Sequence, residues 1–267
     1  DVKDSYVIKV AALSFPVMLG TAVQQLNTVV DRMLASGLPE GSISALNFAN
    51  RLNGFAYGLF SMSIAVVIFP LLSRLTVEED MESYKDKLIK SLNVITLIML
   101  PITVGAVVLR QPIVSILFER GQFDSRATAM TASALMFYSL GMVFYGYRDV
   151  LNRAFYSFQD TKTPMINGVV TVVLNIVLNI ILIRYMQHNG LALATSIAAA
   201  VMTLLLITNL RKRMNGIGGN KLLAVFFKSA TASLLMGLSV FGLNMFTAEF
   251  IASSGKLIGL LILWLEI

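Results

Sequence analysis

Apolar runs long enough to cross a bilayer recur from one end of this sequence to the other, and no other feature limits the fold so strongly. They cover residues 7–35, 43–72, 88–109, 127–155, 165–183, 191–210 and 222–246, and an eighth starts near residue 257. About 20 consecutive apolar residues suffice for a helix to span the hydrocarbon core. Helices satisfy their own backbone hydrogen bonds in lipid and open strands do not. The runs therefore predict an all-α, polytopic transmembrane helical bundle of about eight helices. Composition agrees: 56% of the 267 residues are hydrophobic and 13% charged, against roughly 25% charged in soluble domains.

The links between runs are short and carry turn residues, as in SGLPEGS (36–42), GQFDS (121–125), QDTKTP (159–164) and NGIGGN (215–220), so adjacent spans are expected to be antiparallel. The longer link 76–87 mixes both charge signs and reads as a short surface helix. Pro16, Pro70 and Pro101 interrupt or border apolar runs, where bends are expected. The chain begins without methionine and stops inside an apolar run, which reads as a sequence cut at both ends.

The formal net charge of +6 does not point to nucleic acid, because the basic residues flank apolar runs instead of forming one patch. They act as topology signals. With the amino end in the cytoplasm, the inner side carries Arg74, Lys85, Lys87, Lys90, Arg148, Arg153, Lys162, Arg211, Lys212 and Arg213. The outer side carries fewer, and this bias favours the amino end inside.

Several chemistries find no support in the sequence. It has no cysteine, and it lacks a phosphate-cradling glycine loop, an H-E-x-x-H helix and a G-x-S-x-G elbow. An enzyme is not expected.

The informative residues are polar ones inside the runs, since a charge at bilayer depth costs roughly 2.5–3.5 kcal/mol or more and must face protein or water. Helical spacing puts Gln24, Asn27 or Thr28, and Asp31 on one face of the first run, and Asn47, Arg51, Gly54 and Gly58 on one face of the second, with Asn50 close by. These faces read as walls of a polar, substrate-binding cavity. Arg51 either grips phosphate with its guanidinium fork or pairs structurally with an acid such as Asp31. Thr171, Asn175 and Asn179 repeat every fourth residue, and with Thr195 and the Asp31 carboxylate they could hold a small hard cation. Hydrogen bonding between helices is the alternative. His188, beside Asn189 and Gly190, reads as a solvated turn residue. The aromatic string 144–158 reads as an interface anchor, with Arg148 and Arg153 at a cytoplasmic gate or against lipid headgroups.

Four stretches carry a family resemblance: LNRAFYSFQDTKTP (151–164), ALNFANRLNGFAYG (45–58), VIFPLLSRL (67–75) and LFERGQFD (117–124). With these the chain resembles the MurJ/MviN lipid II flippases. They belong to the MOP superfamily, which also holds multidrug exporters of the MATE type and polysaccharide flippases. The resemblance implies two six-helix lobes around a central cavity, with a final helix pair forming a lipid-facing groove. Residues 1–213 would be the second lobe and residues 214–267 the pair, the last helix truncated, with the amino-terminal lobe missing from the sequence. It also implies a bacterial inner-membrane location, lipid II as substrate, and a required role for Arg51 in a cationic cavity that takes pyrophosphate.

Some members of that family place a sodium ion at positions matching Asp31, Asn175, Asn179 and Thr195. Asn179 stands where a carboxylate can occur, which weakens a cation site, and Gly54 stands where an acid can occur, which implies a more positive cavity. A drug exporter of the same superfamily and a membrane scaffold for cell-wall enzymes are the competing readings. The first calls for an acidic, aromatic pocket, the second for a paired, buried Arg51.

Overall fold

The computed structural model describes residues 5–253, and the eighth apolar run lies outside them. The elements are α1 (Ser5–Ser36), α2 (Ser42–Tyr57), a π-helical turn (Gly58–Met62), α3 (Ser63–Val77), α4 (Met81–Val108), α5 (Arg110–Phe118), α6 (Ser125–Ser139), α7 (Met142–Ser157), α8 (Lys162–Met186), α9 (His188–Arg213) and α10 (Gly219–Ser253). Among the described residues, five helical stretches are long and apolar enough to cross a membrane: 42–77, α4, α8, α9 and 219–243 of α10. The pair α6–α7, bent by 45° at its break, makes a sixth crossing if taken as one span. At 32 residues α1 is longer still, and it carries a polar stripe.

Packing follows from residue size. The larger core joins α3, α4, α7 and α9 through fully buried Leu72, Leu92, Ile95, Met99, Leu151 and Leu206. A second core joins α2, α5, α6 and the start of α9 through Leu46, Ala49, Val114, Leu135 and Leu191. Along α9, buried Ala192, Ala194, Ala198 and Ala199 let neighbouring helices approach closely, the usual means of helix association in lipid. Large apolar side chains elsewhere point outward, Val67, Val170, Leu204 and Leu235 among them, as lipid-facing positions require.

Three expectations are corrected. Residues 76–87 form no separate surface helix: α3 runs to Val77, and after a tight turn with Glu79 at φ 58°, α4 starts at Met81. The side chain of Asp80 accepts the Ser83 N–H there, so the polar segment is the first turns of a span. The prolines Pro16, Pro70 and Pro101 all lie inside continuous helices. The irregularities fall instead at the π turn and at the α6–α7 break, where Gly141 packs so closely that an added Cβ would lie 2.8 Å from Ser196 Oγ. Third, His188 is buried: its Nε2 donates to the Met130 carbonyl at 3.2 Å and lies 3.3 Å from the Ser133 hydroxyl. Gly190 allows this, since a Cβ there would sit 2.6 Å from the Leu182 carbonyl group, so the α8–α9 turn closes tightly and carries His188 onto α6.

Candidate functional site

A cavity of about 550 Å³ opens between α1, α2, α7, α8 and α9. From α1 it receives Gly20, Gln24, Asn27 and Asp31, one residue per helical turn. From α2 come Asn47, Asn50, Asn53 and Tyr57, and from α7 come Tyr145, Arg148, Asp149, Asn152 and Tyr156. Thr195 of α9 completes the wall near Asp31. A smaller cavity of about 60 Å³ shares Gln24, Asn27, Tyr145, Arg148 and Thr195 with it and adds Asn175.

The centre of the polar network is Asp31. Its Oδ1 accepts from Asn179 Nδ2 at 2.6 Å, its Oδ2 from Asn27 Nδ2 at 3.4 Å, and Asn179 Nδ2 also reaches Asn175 Oδ1 at 3.0 Å. Asn175 and Asn179 are buried, at 2% and 0% exposure. Asn27 Oδ1, Asn179 Oδ1 and Asn175 Nδ2 have no protein partner. Thr195 bonds to the Leu191 carbonyl of its own helix. The structure thus brings together the four residues singled out for a cation site, as an amide-rich cluster around one carboxyl.

Arg51 is exposed, lies off the wall of this cavity, and takes part in none of the ion pairs among the described residues. The expected stripe of Asn47, Arg51, Gly54 and Gly58 is therefore corrected. Packing of Ala45, Leu46 and Ala49 rotates α2 so that Asn50, Asn53 and Tyr57 face inward and Arg51 stands to one side. The structural pairing with Asp31 is absent as well, since the Asp31 partners are amides. The cavity wall is not cationic: Arg32 and Arg148 are matched by Asp31 and Asp149.

Arg148 and Arg153 do not form one cluster. Five residues apart, they leave α7 on different sides. Arg148 lines both cavities, 3.3 Å from Asp149 Oδ1 and 5.7 Å over the Tyr145 ring, whereas Arg153 sits 5.8 Å over Phe69 of α3. Nor is the aromatic string an interface belt, because Tyr145, Tyr147 and Phe155 are buried. The QDTKTP turn is structural: Asp160 accepts from the Thr163 N–H and hydroxyl and from Arg213 Nη1 at 3.0 Å, fastening the start of α8 to the end of α9. Sequence reasoning missed Asn53, Tyr57, Tyr145, Asp149 and Asn152. On α7 the spacing of Tyr145, Asp149, Asn152 and Tyr156 is helical and was the available signal.

Membrane-crossing helices gathered around a polar cavity define a transporter of the MOP type, and a solved MOP superfamily transporter from Pyrococcus furiosus shares the fold, with TM-score 0.69 and 21% identity over 91% of this chain and 55% of that one. The sequence profile described as "Lipid II flippase MurJ" matches residues 1–261. The chain belongs to that family. It is 37% identical over 208 residues to a probable lipid II flippase MurJ of Vibrio cholerae, covering 78% of this chain and 40% of that protein. A solved lipid II flippase MurJ in an inward closed conformation superposes with TM-score 0.75 and 30% identity, over 96% of this chain and 52% of that one. The chain thus spans about half the length, or less, of these relatives.

Proposed function

We propose that this chain supplies the second lobe of a lipid II flippase, which moves the undecaprenyl-pyrophosphate-linked disaccharide-pentapeptide across the bacterial inner membrane. The observation that carries the reading is a polar cavity inside a bundle whose outer surface suits lipid. A hydrophilic headgroup crosses within such a cavity, while the polyprenyl tail stays among lipid chains. A partner lobe of similar size faces the open side, and alternating access of the two lobes moves the site from one leaflet to the other. The amino end of this segment is cytoplasmic. Residues 1–213 form the lobe, and residues 214–267 an added helix pair.

Arg51 fits this arrangement as a group reaching beyond its own lobe. An exposed guanidinium halfway along an apolar stretch has no place against hydrocarbon, so it faces water or the partner lobe, where it takes the diphosphate.

The test is complementation of flippase-depleted cells by the protein containing this chain, reading both its abundance and the lipid II accessible outside. Rescue is expected for the parent and failure for a normally abundant Arg51→Ala variant. A parent that never restores outer-leaflet lipid II ends the lipid II assignment, and full rescue by the variant ends the role of Arg51.

A second reading is favoured by the unpartnered oxygens of Asn27 and Asn179 beside the Asp31 carboxyl. Oxygen donors of this kind suit a hard cation such as sodium, and Asp31, Asn175, Asn179 and Thr195 would hold it.

A further inference from the structure

We infer that the cavity of this lobe is a sugar-binding subsite, which takes the neutral N-acetylated disaccharide of the carried lipid and leaves the diphosphate to Arg51. The inference deepens the flippase reading and rests on it for the identity of the sugar.

The wall has the wrong charge for a diphosphate and the right chemistry for a carbohydrate. Its two arginines are offset by two aspartates, and Arg148 is already engaged by Asp149 at 3.3 Å. Six carboxamides dominate the polar surface: Gln24, Asn27, Asn47, Asn50, Asn53 and Asn152. A carboxamide both donates and accepts, which matches hydroxyl and acetamido groups and adds no net charge. Tyr57, Tyr138, Tyr145 and Tyr156 supply flat apolar surfaces with a polar edge, as the faces of a pyranose ring require. Tyr57 and Tyr145 pack at 5.6 Å between centroids and form a continuous aromatic floor.

Independent support comes from polar atoms that the protein leaves without partners. Asn53 is 1% exposed, and its Oδ1 has none; the same holds for Asn27 Oδ1 at 7% and for the Tyr145 hydroxyl at 7%. Buried polar groups are nearly always bonded, so several such atoms on residues of one cavity wall mark where a ligand rich in hydroxyls and amides completes the set. A volume of about 550 Å³ lies within the roughly 300–1,000 Å³ of small-ligand sites.

The experiment compares three probes on the purified full-length protein in nanodiscs: lipid II, undecaprenyl pyrophosphate without sugars, and the soluble N-acetylglucosaminyl-N-acetylmuramyl disaccharide. Asn50→Ala and Tyr57→Leu are the variants, with Arg51→Ala as the contrast. Asn50 is exposed, so its truncation leaves folding intact. Losing one sugar hydrogen bond corresponds to about a tenfold loss of affinity. Both cavity variants are expected to weaken lipid II and disaccharide binding about tenfold and to leave undecaprenyl pyrophosphate unchanged, while Arg51→Ala weakens both lipids. If the cavity variants weaken lipid II and undecaprenyl pyrophosphate equally, or neither, the sugar subsite is wrong and the flippase reading stands. Binding of the disaccharide with no binding of either lipid keeps the sugar subsite and ends the flippase reading, and a protein that binds none of the three loses both.

Discussion

Asn179 of α8 donates to the Asp31 carboxyl of α1 at 2.6 Å, so an amide hydrogen occupies the carboxylate oxygen that a cation would otherwise take. This contact ties two helices of the cavity together and limits how strongly the cluster can attract sodium. Asn179→Asp would set a second carboxyl beside Asp31 and remove the competing donor. Sodium chloride is then expected to raise the thermal midpoint of the variant, relative to potassium chloride, by more than it raises that of the parent. Equal midpoints in the two salts for both proteins would show that these residues hold helices together and nothing else.

Gly190 offers a sharper structural test. A Cβ at this position would lie 2.6 Å from backbone atoms of Leu182, which cannot swing aside as a flexible side chain could. Gly190→Ala is expected to cost about 1–3 kcal/mol and to release His188 from Met130 and Ser133. Size-exclusion profiles and thermal unfolding in detergent check this, and a variant as stable as the parent would refute the close approach.

The start of α4 has a pH dependence of known sign. Hydrogen bonds from Ser83, first its side chain and then its backbone N–H, hold the exposed Asp80 carboxyl below its ordinary value of 3.8. A lowered folded-state value means that the capping contribution is complete above that ordinary value and is lost as pH falls through the lowered one. Hydrogen exchange at the first turn of α4 is therefore expected to speed up on acidification below about pH 4 in the parent. Asn supplies a neutral acceptor at a cap, so Asp80→Asn should not show this change, and the same acid response in the variant would rule Asp80 out as its source.

Much of the architecture was legible because it depends on length and hydropathy alone. Seven of the apolar runs appear as helical stretches, and the glycine and polar links became turns, with Gly41, Gly121, Gly216 and Gly218 all at positive φ. The stripe Gln24, Asn27, Asp31 was also readable, since three polar residues at helical spacing within an apolar run must share a face. The second run misled because its polar residues spread over too wide an arc: Asn47, Asn50, Arg51 and Asn53 offer more than one face, and only contact with α6 selects among them. The aromatics of α7 misled for a similar reason. A string of tyrosines and phenylalanines looks the same at an interface and in a core, and here the core holds Tyr147, whose hydroxyl bonds to Thr96 of α4.

The sequence by itself determined that this chain crosses a membrane as helices, roughly where each helix begins and ends, and which family it resembles. These follow from the cost of burying backbone and charge in hydrocarbon, a cost each segment meets alone. Only the tertiary structure decided which polar residues share a cavity, that Arg51 stands outside it, that Asp31 meets Asn179 across 148 positions, and that the wall is neutral. Those outcomes depend on the rotation of each helix about its own axis, which is fixed by the small and large residues of its neighbours.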